Sequence, residues 1–333
     1  MPKAMRIHQN GGPEVLRWED TELAPPGPGQ VRIRHTAIAV NYSDVNVRQG
    51  GFYLADALDF PVTIGNEAAG VIEELGAGAE GIGVGERAAY VGVGGPFYEN
   101  TGAYAEARNV PASCLFKLPA KISDDQVAAM LLKGLTASMV INRNFTLKRD
   151  DPVLIHAAAS GVGLLLVQWC KHLGATVIGT VGSAAKADVA RSLGCDHTIL
   201  YRDVDFAAAV RDIVPDGVAA VLDGVGKDTF ARSIHCTRRY GTLVNYGNAS
   251  GHPEPLDLLL LAKHGSLSVT RPAFSDHIGD AHDRARYSDE LYDLVASGIL
   301  KVEIGNSYPL RDAAQAHRDL EGRKYAGSLL LKP

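Results

Sequence analysis

The sequence predicts an α/β protein in which a six-stranded, doubly wound parallel sheet is joined to a mainly β, barrel-like domain built from both chain ends. Three observations predict this fold. The 333 residues are enough for about two domains. Short β-branched runs separated by Gly, Pro and Asp fill residues 1–120, whereas strand-like and helix-like segments alternate after Asp151. Residues 325–332 have the pattern of a last strand, which we expect to return to the first domain.

Composition excludes several classes of protein. The 33 basic and 38 acidic residues give a net charge of −5, and no basic block occurs, which argues against a nucleic-acid binder or a polybasic membrane-surface protein. The four cysteines show no CxxC spacing, so neither a thiolate zinc site nor a disulfide scaffold is indicated. We therefore expect reduced thiols in a cytoplasmic protein.

In the first part of the chain, strands are predicted at residues 31–34, 70–73 and 87–91. Ser123 and Gln126 have the spacing of a capping box, which predicts a helix over 124–142 with an interruption near Gly134.

Strands and helices then alternate. The six strands of the parallel sheet are predicted at 153–156, 176–181, 197–200, 219–222, 242–245 and 267–270. The helices between them are predicted at 162–173, 184–193, 206–214 and 227–236, and another near 289–297. The expected domains are 1–127 with 272–333, and 128–271.

The first strand of this series runs into a turn of small residues, 157–163, with the sequence Ala-Ala-Ala-Ser-Gly-Val-Gly. A dinucleotide pyrophosphate binds to the backbone N–H groups of such a turn at a helix N-terminus, and a large side chain would keep it away. The alternative is that the small residues serve strand–helix packing alone. The position of the turn after the first of six strands favours a dinucleotide.

The second strand favours NADP over NAD. NAD-binding proteins of this kind place an acidic residue near the end of that strand, but no acidic residue occurs between Asp151 and Asp188. Gly182, Ser183 and Lys186 stand there instead, and offer amide, hydroxyl and ammonium donors for a 2′-phosphate. Tyr201, after the third strand, adds another donor. The alternative for Lys186 is an ordinary solvated lysine.

At this point the whole chain resembles the zinc-independent quinone oxidoreductases, the zeta-crystallin-like branch of the medium-chain dehydrogenase/reductase superfamily. The matching motifs are Gly-Pro-Glu-Val-Leu at 12–16, Asn-Tyr-Ser-Asp at 41–44, Gly-Asn-Glu-Ala-Ala-Gly at 65–70, Leu-Lys-Gly-Leu-Thr at 132–136, the 157–163 turn, Tyr-Gly-Asn-Ala-Ser-Gly at 246–251 and Thr-Arg-Pro at 270–272.

The resemblance implies a barrel-like catalytic domain, a Rossmann domain and NADPH as hydride donor. It implies catalytic roles for Asn41, Asp44 and Tyr53. The cofactor-binding residues that it implies are Asn41, Lys133, Thr136, Met139, Ser160, Gly161, Val162, Gly182, Ser183, Lys186, Tyr201, Tyr246, Gly247, Val269, Thr270, Arg271, Phe274 and Arg323.

A catalytic metal is not expected. In zinc alcohol dehydrogenases, which the chain resembles more distantly, a Cys and a His stand where this chain has Asn41 and Asn66, and amides are poor zinc ligands. Without a Lewis acid, we expect hydride transfer to acceptors already activated by conjugation, namely quinones and enones. Asn41 is expected to position the substrate; the alternative for Asn41 and Asp44 is capping of a loop.

Two departures from the family concern the substrate. Many bacterial relatives have an aromatic residue at the place of Asn46, and the segment 92–100 is longer here; the alternative for that segment is an idle surface insertion. The alternatives to a quinone reductase are an NADPH-dependent alkenal or enone double-bond reductase and, outside enzymes, an NADPH-binding structural or RNA-associated protein. A homodimer is expected, formed along the strand at 267–270.

Overall fold

The protein is described by a computed structural model over residues 1–50, 58–92 and 101–333. Tyr53 and residues 93–100 of the longer segment therefore lie outside the described residues. The strands before the parallel sheet are β1 (Lys3–Ile7), β2 (Arg17–Asp20), β3 (Gln30–Val40), β4 (Val62–Thr63), β5 (Glu67–Leu75), β6 (Arg87–Val91), β7 (Ala107–Pro111) and β8 (Leu115–Lys117). The helices of this part are α1 (Tyr42–Gln49) and α2 (Asp124–Arg143).

The alternating part of the chain follows. Its strands are β9 (Pro152–Ile155), β10 (Thr176–Val181), β11 (His197–Leu200), β12 (Val218–Asp223), β13 (Thr237–Asn245) and β14 (Ser268–Thr270). Its helices are α3 (Gly161–His172), α4 (Ala184–Ser192), α5 (Phe206–Ile213), α6 (Phe230–Cys236), α7 (Leu258–Lys263) and α8 (Phe274–His277). The chain ends with α9 (Ala281–Ala296), β15 (Ile304–Pro309), α10 (Ala313–Glu321) and β16 (Ser328–Lys332).

The chain divides into two compact units. Unit 1 comprises 1–132, 278–292 and 302–333, and unit 2 comprises 133–277 and 293–301. Unit 2 lies entirely within the described residues.

Within the described part of unit 1, seven strands form a sheet in the order β15-β16-β3-β5-β6-β8, with β7 also paired to β3. The last strand, β16, runs antiparallel to β3, and Leu330 lies opposite Ala39. The predicted return of the chain end to the N-terminal domain is confirmed. The apolar faces of these strands enclose one core, which includes Ile33, Tyr104 and Leu331.

Unit 2 contains the predicted parallel sheet. Its six strands have the order β11-β10-β9-β12-β13-β14, and all neighbouring pairs are parallel. This is the order of a Rossmann sheet, in which successive strands are added first on one side of the first strand and then on the other, so that the strand order reverses between β9 and β12. All six predicted strands are present, with ends that shift by up to five residues. The carboxyl ends of all six strands meet at one edge of the sheet.

Some predicted elements need correction. The interruption predicted near Gly134 is wrong, because α2 is continuous; neighbours such as Leu131 and Leu135 are fully buried, and this burial outweighs the cost of about 1 kcal/mol that a helical glycine carries. The capping box of Ser123 and Gln126 is confirmed by hydrogen bonds of 3.0 and 3.2 Å. Helix α9 begins eight residues earlier than predicted, and α7 was not predicted. In the part of the chain that the structure describes, no helix is long and apolar enough to cross a membrane.

Candidate active and cofactor-binding sites

The small-residue turn after β9 forms the N-terminus of α3. Ser160 is the N-cap, and its hydroxyl oxygen accepts a hydrogen bond from the Gly163 amide at 3.1 Å. The N–H groups of Gly161 and Val162, the first two residues of the helix, have no intrahelical acceptor and are available to an anion. A Cβ at Gly163 would lie 2.3 Å from the Ala157 carbonyl oxygen, so glycine is required there. Ser160 therefore serves as the cap of this helix.

The end of β10 is free of acidic side chains and rich in donors. Ser183 is the N-cap of α4, and its hydroxyl accepts from the Lys186 amide at 3.4 Å. Tyr201 follows β11, and a Cβ at Gly182 would lie 3.0 Å from its hydroxyl oxygen. The structure thus brings together all four residues of unit 2 that were predicted to surround a 2′-phosphate. Arg323, the fifth, follows α10 in unit 1 and stays a prediction.

The other predicted cofactor residues of unit 2 follow the strands on the opposite side of β9. Tyr246 and Gly247 come directly after β13, and both of their amides donate to the Asp223 carbonyl oxygen, at 2.9 and 3.3 Å. A Cβ at Gly224 would lie 2.7 Å from the Tyr246 ring, so the Tyr246 side chain packs against the backbone that leaves β12. Burial and the nearby Asp223 carboxylate raise the pKa of Tyr246.

Strand β14 supplies Val269 and Thr270, and Arg271 and Phe274 come directly after it. The Arg271 guanidinium donates to the Asn245 side-chain oxygen at 2.7 Å, which joins the ends of β13 and β14. The Thr270 hydroxyl donates to Asn144 at 3.1 Å.

Three further predicted residues, Lys133, Thr136 and Met139, share one face of α2 because they are three residues apart. The Asn144 side chain accepts from Thr270 through its oxygen and donates through Nδ2 to the Met139 carbonyl oxygen at 2.8 Å. This short network ties the C-terminal end of α2 to the end of β14 within unit 2.

Sequence reasoning missed Asp223, a fully buried carboxylate at the end of β12. It accepts from the amides of Val225 and Gly226, at 2.8 and 3.1 Å, and from the Thr229 hydroxyl at 2.9 Å. Asp223 therefore fixes the loop against which Tyr246 packs. An aspartate at a strand end with a glycine after it is the signal that could have identified it.

Unit 1 holds the other candidate site, around Asn41. Asn41 is the N-cap of α1 and Asp44 is its third residue, so these side chains stand at a helix start and not on the loop that the sequence suggested. The Asp44 carboxylate accepts from the Asn41 amide at 2.9 Å. This contact belongs to a capping box at the start of α1, which is the capping role that was considered as an alternative.

The Asn41 side chain is held by Glu67 at the start of β5. Its Nδ2 donates to Glu67 Oε2 at 3.1 Å, and Glu67 Oε1 accepts from the Leu132 amide at 2.7 Å. Asn66, the preceding residue, donates from Nδ2 to Asp44 Oδ1 at 2.8 Å. Asn41 is 6% exposed and the other two polar residues, Asn66 and Glu67, are fully buried, so the geometry of the group is fixed by hydrogen bonds away from water.

Asp44 also accepts a hydrogen bond from a buried series of side chains that come from distant parts of the sequence of unit 1. The Tyr104 hydroxyl lies 3.1 Å from Asp44 Oδ2 and 3.0 Å from His317 Nε2, and His317 Nδ1 lies 3.1 Å from Arg48 Nη1. Arg48 is fully buried and forms a two-point ion pair with Glu321. Sequence reasoning missed these residues, and nothing in the sequence near Tyr104 or His317 signals them.

The comparisons with known proteins agree with this architecture. Residues 27–120 match the alcohol dehydrogenase GroES-like domain and residues 161–290 match the zinc-binding dehydrogenase family. The chain is 42% identical to a 2-haloacrylate reductase of a Burkholderia species, over 100% of this chain and 99% of that protein. It is 40% identical to a quinone oxidoreductase of Salmonella typhimurium over all of both chains. The structure of Escherichia coli quinone oxidoreductase complexed with NADPH superimposes with a TM-score of 0.93 at 38% identity, covering 99% of this chain and 100% of that one.

One of these family names implies zinc, and the residues around Asn41 do not fit it. Neither asparagine is a strong zinc ligand, because an amide oxygen binds zinc more weakly than a thiolate or an imidazole, and the neighbouring carboxylates of Asp44 and Glu67 already accept hydrogen bonds. Among the described residues, the side chains that could jointly hold a metal ion are Asp280, His282 and Asp283, and this group includes none of the residues around Asn41.

Proposed function

The chain belongs to the medium-chain dehydrogenase/reductase superfamily, and from this premise we propose that it is an NADPH-dependent quinone reductase that works without a catalytic metal. The observation that carries the proposal is the Asn41 site. Amides bound to carboxylates stand where distant relatives have zinc ligands, in a chain that is 40% identical over its full length to a quinone oxidoreductase. Without a Lewis acid, the acceptor must be activated by its own conjugation, and a quinone is.

The edge of the parallel sheet supports the choice of cofactor. In this proposal, the free amides of Gly161 and Val162 bind the pyrophosphate, and the helix dipole of α3 favours its negative charge. Lys186 and Tyr201 bind the 2′-phosphate. Tyr246 and Gly247, on the other side of β9, would hold the nicotinamide. NADPH, when bound, supplies the hydride that reduces the quinone.

At the substrate end, the protein positions the acceptor. Glu67 holds the Asn41 amide nitrogen and so directs the Asn41 side chain, which in this proposal orients the ligand. The second carbonyl of the quinone stabilises the charge that develops during hydride transfer, so the protein has to supply position more than charge. Asp44 and Tyr53 stay predicted members of this site.

A second candidate is reduction of an activated carbon–carbon double bond. The observation that favours it is the 42% identity to a 2-haloacrylate reductase along the whole chain. An enone, an enal or a haloacrylate accepts hydride at its β-carbon and needs a proton at its α-carbon. The same fold supports both reactions, so fold does not choose between them.

A substrate panel tests the proposal. We would measure kcat/KM for benzoquinone, naphthoquinone, a long-tailed quinone, an enal and 2-chloroacrylate, each with NADPH and with NADH. We expect the small 1,4-quinones with NADPH to be best, and the long-tailed quinone to be poorer because polar Asn46 stands where many relatives have an aromatic residue. Turnover of 2-chloroacrylate or the enal alone would replace the proposal by the second candidate.

The role of Asn41 is tested on the best substrate of that panel. Asn41→Ala should lower kcat/KM by about tenfold, the worth of one hydrogen bond made in the transition state. Asn109→Ala is the matched control, since Asn109 lies in the same unit and binds the Ala24 carbonyl oxygen. Equal rates for Asn41→Ala and the unchanged protein would remove the positioning role.

We further propose a cytoplasmic homodimer, with functional domains at 1–127 with 272–333 and at 128–271. Support for the dimer comes from β14, which is an edge strand of the parallel sheet, and from Leu258 and Leu259 of α7, which are 72% and 65% exposed. All four cysteines are free thiols, which fits a reducing compartment. Light scattering that gave the mass of a single chain would contradict the dimer.

A further inference from the structure

We propose that Tyr104 and His317 are positioning residues of the Asn41 site, because they form a buried hydrogen-bonded chain that orients Asp44 and, through it, the start of α1. The inference rests on the proposed function, since it assigns residues to the same site. The hydrogen-bonded series consists of four side chains, in the order Arg48, His317, Tyr104 and Asp44, and each of them is 0% exposed.

The direction of every hydrogen bond in this chain follows from Arg48. A guanidinium only donates, so His317 Nδ1 must accept from Arg48 Nη1. His317 is then neutral with its proton on Nε2, and it donates to the Tyr104 oxygen. The Tyr104 hydroxyl has its own proton left, and donates it to Asp44 Oδ2. Burial, and then the Arg48 charge, lower the pKa of His317 to about 3, which agrees with a neutral ring.

The Tyr104 hydroxyl is fixed as a donor by its surroundings. Burial and the Asp44 carboxylate raise the pKa of Tyr104 well above its ordinary value, so the phenol keeps its proton. Asp44 Oδ2 thus accepts two hydrogen bonds, one from the Tyr104 hydroxyl and one from the Asn41 backbone N–H. Asp44 Oδ1 accepts a third, from the Asn66 side-chain amide. A carboxylate held from three directions leaves the first residue of the site, Asn41, one backbone orientation.

Arg48 anchors the other end of the chain. Its Nε donates to the Gly11 carbonyl oxygen at 3.1 Å, and its two terminal nitrogens bind Glu321 at 3.0 and 2.9 Å. These hydrogen-bonded side chains therefore join α1 to α10, near the carboxyl end of the protein. A buried guanidinium that donates four hydrogen bonds in fixed directions is costly to assemble. A site that needs one exact orientation is a reason to retain it.

The same unit contains a second buried tyrosine–histidine pair that serves as a control. The Tyr90 hydroxyl lies 3.0 Å from His35 Nε2, and His35 Nδ1 lies 2.7 Å from the Ala105 carbonyl oxygen. Both residues are buried, and the charged partner of the Tyr90 hydroxyl is the Arg108 side chain and not Asp44. Tyr90→Phe and Tyr104→Phe therefore each remove a buried hydroxyl that has a histidine and a charged side chain as partners, and only Tyr104→Phe removes a bond to Asp44.

The experiment compares these two variants in the full-length protein. Tyr104→Phe should lower quinone kcat by about fivefold to tenfold, with the NADPH Kd changed by less than about twofold, since position and not cofactor affinity is lost. Tyr90→Phe should change kcat by less than about twofold. Adding Tyr104→Phe to Asn41→Ala should lower kcat no further than Asn41→Ala alone, because both remove one positioning effect. Unchanged kcat in Tyr104→Phe, or additive losses in the double variant, would overturn the inference.

A readout without activity separates this inference from the proposed function. Hydrogen exchange of the Asn41 backbone N–H, measured without cofactor, should be at least about fivefold faster in Tyr104→Phe and unaltered in Tyr90→Phe. If the unchanged protein reduces neither quinones nor enones, the proposed function fails and hydrogen exchange still decides the positioning role. Equal exchange in the two variants would refute that role.

If Tyr104→Phe does not fold, two substitutions at His317 replace it. Gln can accept from Arg48 and donate to Tyr104, whereas Leu of similar size can do neither. His317→Gln should keep at least about half of the kcat, and His317→Leu should lose about fivefold to tenfold. Equal kcat in the two variants would show that the hydrogen bonds of His317 do not matter for positioning.

Discussion

In unit 2 the candidate cofactor site consists of short segments at the carboxyl ends of parallel strands, whereas in unit 1 the Asn41 site consists of side chains drawn from positions 41 to 321. The first kind of site is built largely from backbone. Gly161 and Val162 contribute amides, and Gly163 and Gly182 contribute the absence of a side chain. The second kind is built from buried charges and amides that are useful only when all their partners are present.

The difference explains what can be learned from each part of the sequence. A backbone site leaves a contiguous signature, because the turn has to follow a strand and start a helix within a few residues. A side-chain site leaves none, because its members meet only after the sheet of unit 1 has formed. The two kinds of site should also respond differently to substitution and to chelators.

Acid should have the largest effect, through buried neutral histidines. Burial lowers the pKa of His317 to about 3 and those of His35 and His156 to about 4. In the unfolded chain these groups take up protons below about pH 6.5, so the unfolded state binds more protons there and stability falls as the pH falls. Each such histidine costs about 1.4 kcal/mol per pH unit between about 6.5 and its folded pKa.

Urea denaturation at pH 8, 6 and 5 measures this effect. His317→Gln lacks one titrating group, so its free energy of unfolding should vary less steeply with pH than that of the unchanged protein, by about 1.4 kcal/mol per unit. His156→Gln in unit 2 gives the matched comparison, since His156 bonds Thr180 and Ser233 and touches no residue of the Asn41 site. Parallel pH profiles for His317→Gln and the unchanged protein would contradict a buried neutral His317.

Lys186→Ala should have the next largest effect, because Lys186 is the charged side chain in a site otherwise made of backbone and hydroxyl groups. We expect the NADPH Kd to rise by about tenfold to a hundredfold, the worth of a charge-assisted hydrogen bond of about 1.5–3 kcal/mol, and the NADH Kd to stay unchanged.

Fluorescence titration with both cofactors provides the measurement. Lys148→Ala is the control, since Lys148 is exposed and precedes β9, at the other edge of the sheet. A rise of the NADH Kd equal to that of the NADPH Kd would mean that Lys186 does not bind the 2′-phosphate.

How far the sequence predicts each unit follows from these physical differences. All six strands of the parallel sheet were predictable, because each carries an apolar run between turn residues, and so was the turn that ends β9. Helix α1 was not predicted, since Asn-Tyr-Ser-Asp at its start is equally typical of a loop, and its eight residues carry a weak apolar pattern. Asp44 was identified through a family resemblance. Its partner Tyr104, 60 residues further along the chain, and His317, which binds Tyr104 and lies 273 residues beyond Asp44, were not.

Chelation should have the smallest effect, and it tests the interpretation of unit 1 most directly. If the Asn41 site works by hydrogen bonds, dialysis against EDTA should leave quinone turnover unchanged, because Asn41 and Asn66 could offer zinc only weak amide ligands and hold the neighbouring carboxylates by hydrogen bonds. The measurement is turnover and bound metal before and after dialysis, with a zinc-dependent alcohol dehydrogenase treated alongside as the control that loses activity. Loss of turnover that added zinc restores would mean that Glu67 and Asp44 exchange their amide partners for a metal, and the side-chain site of unit 1 would then be a metal site after all.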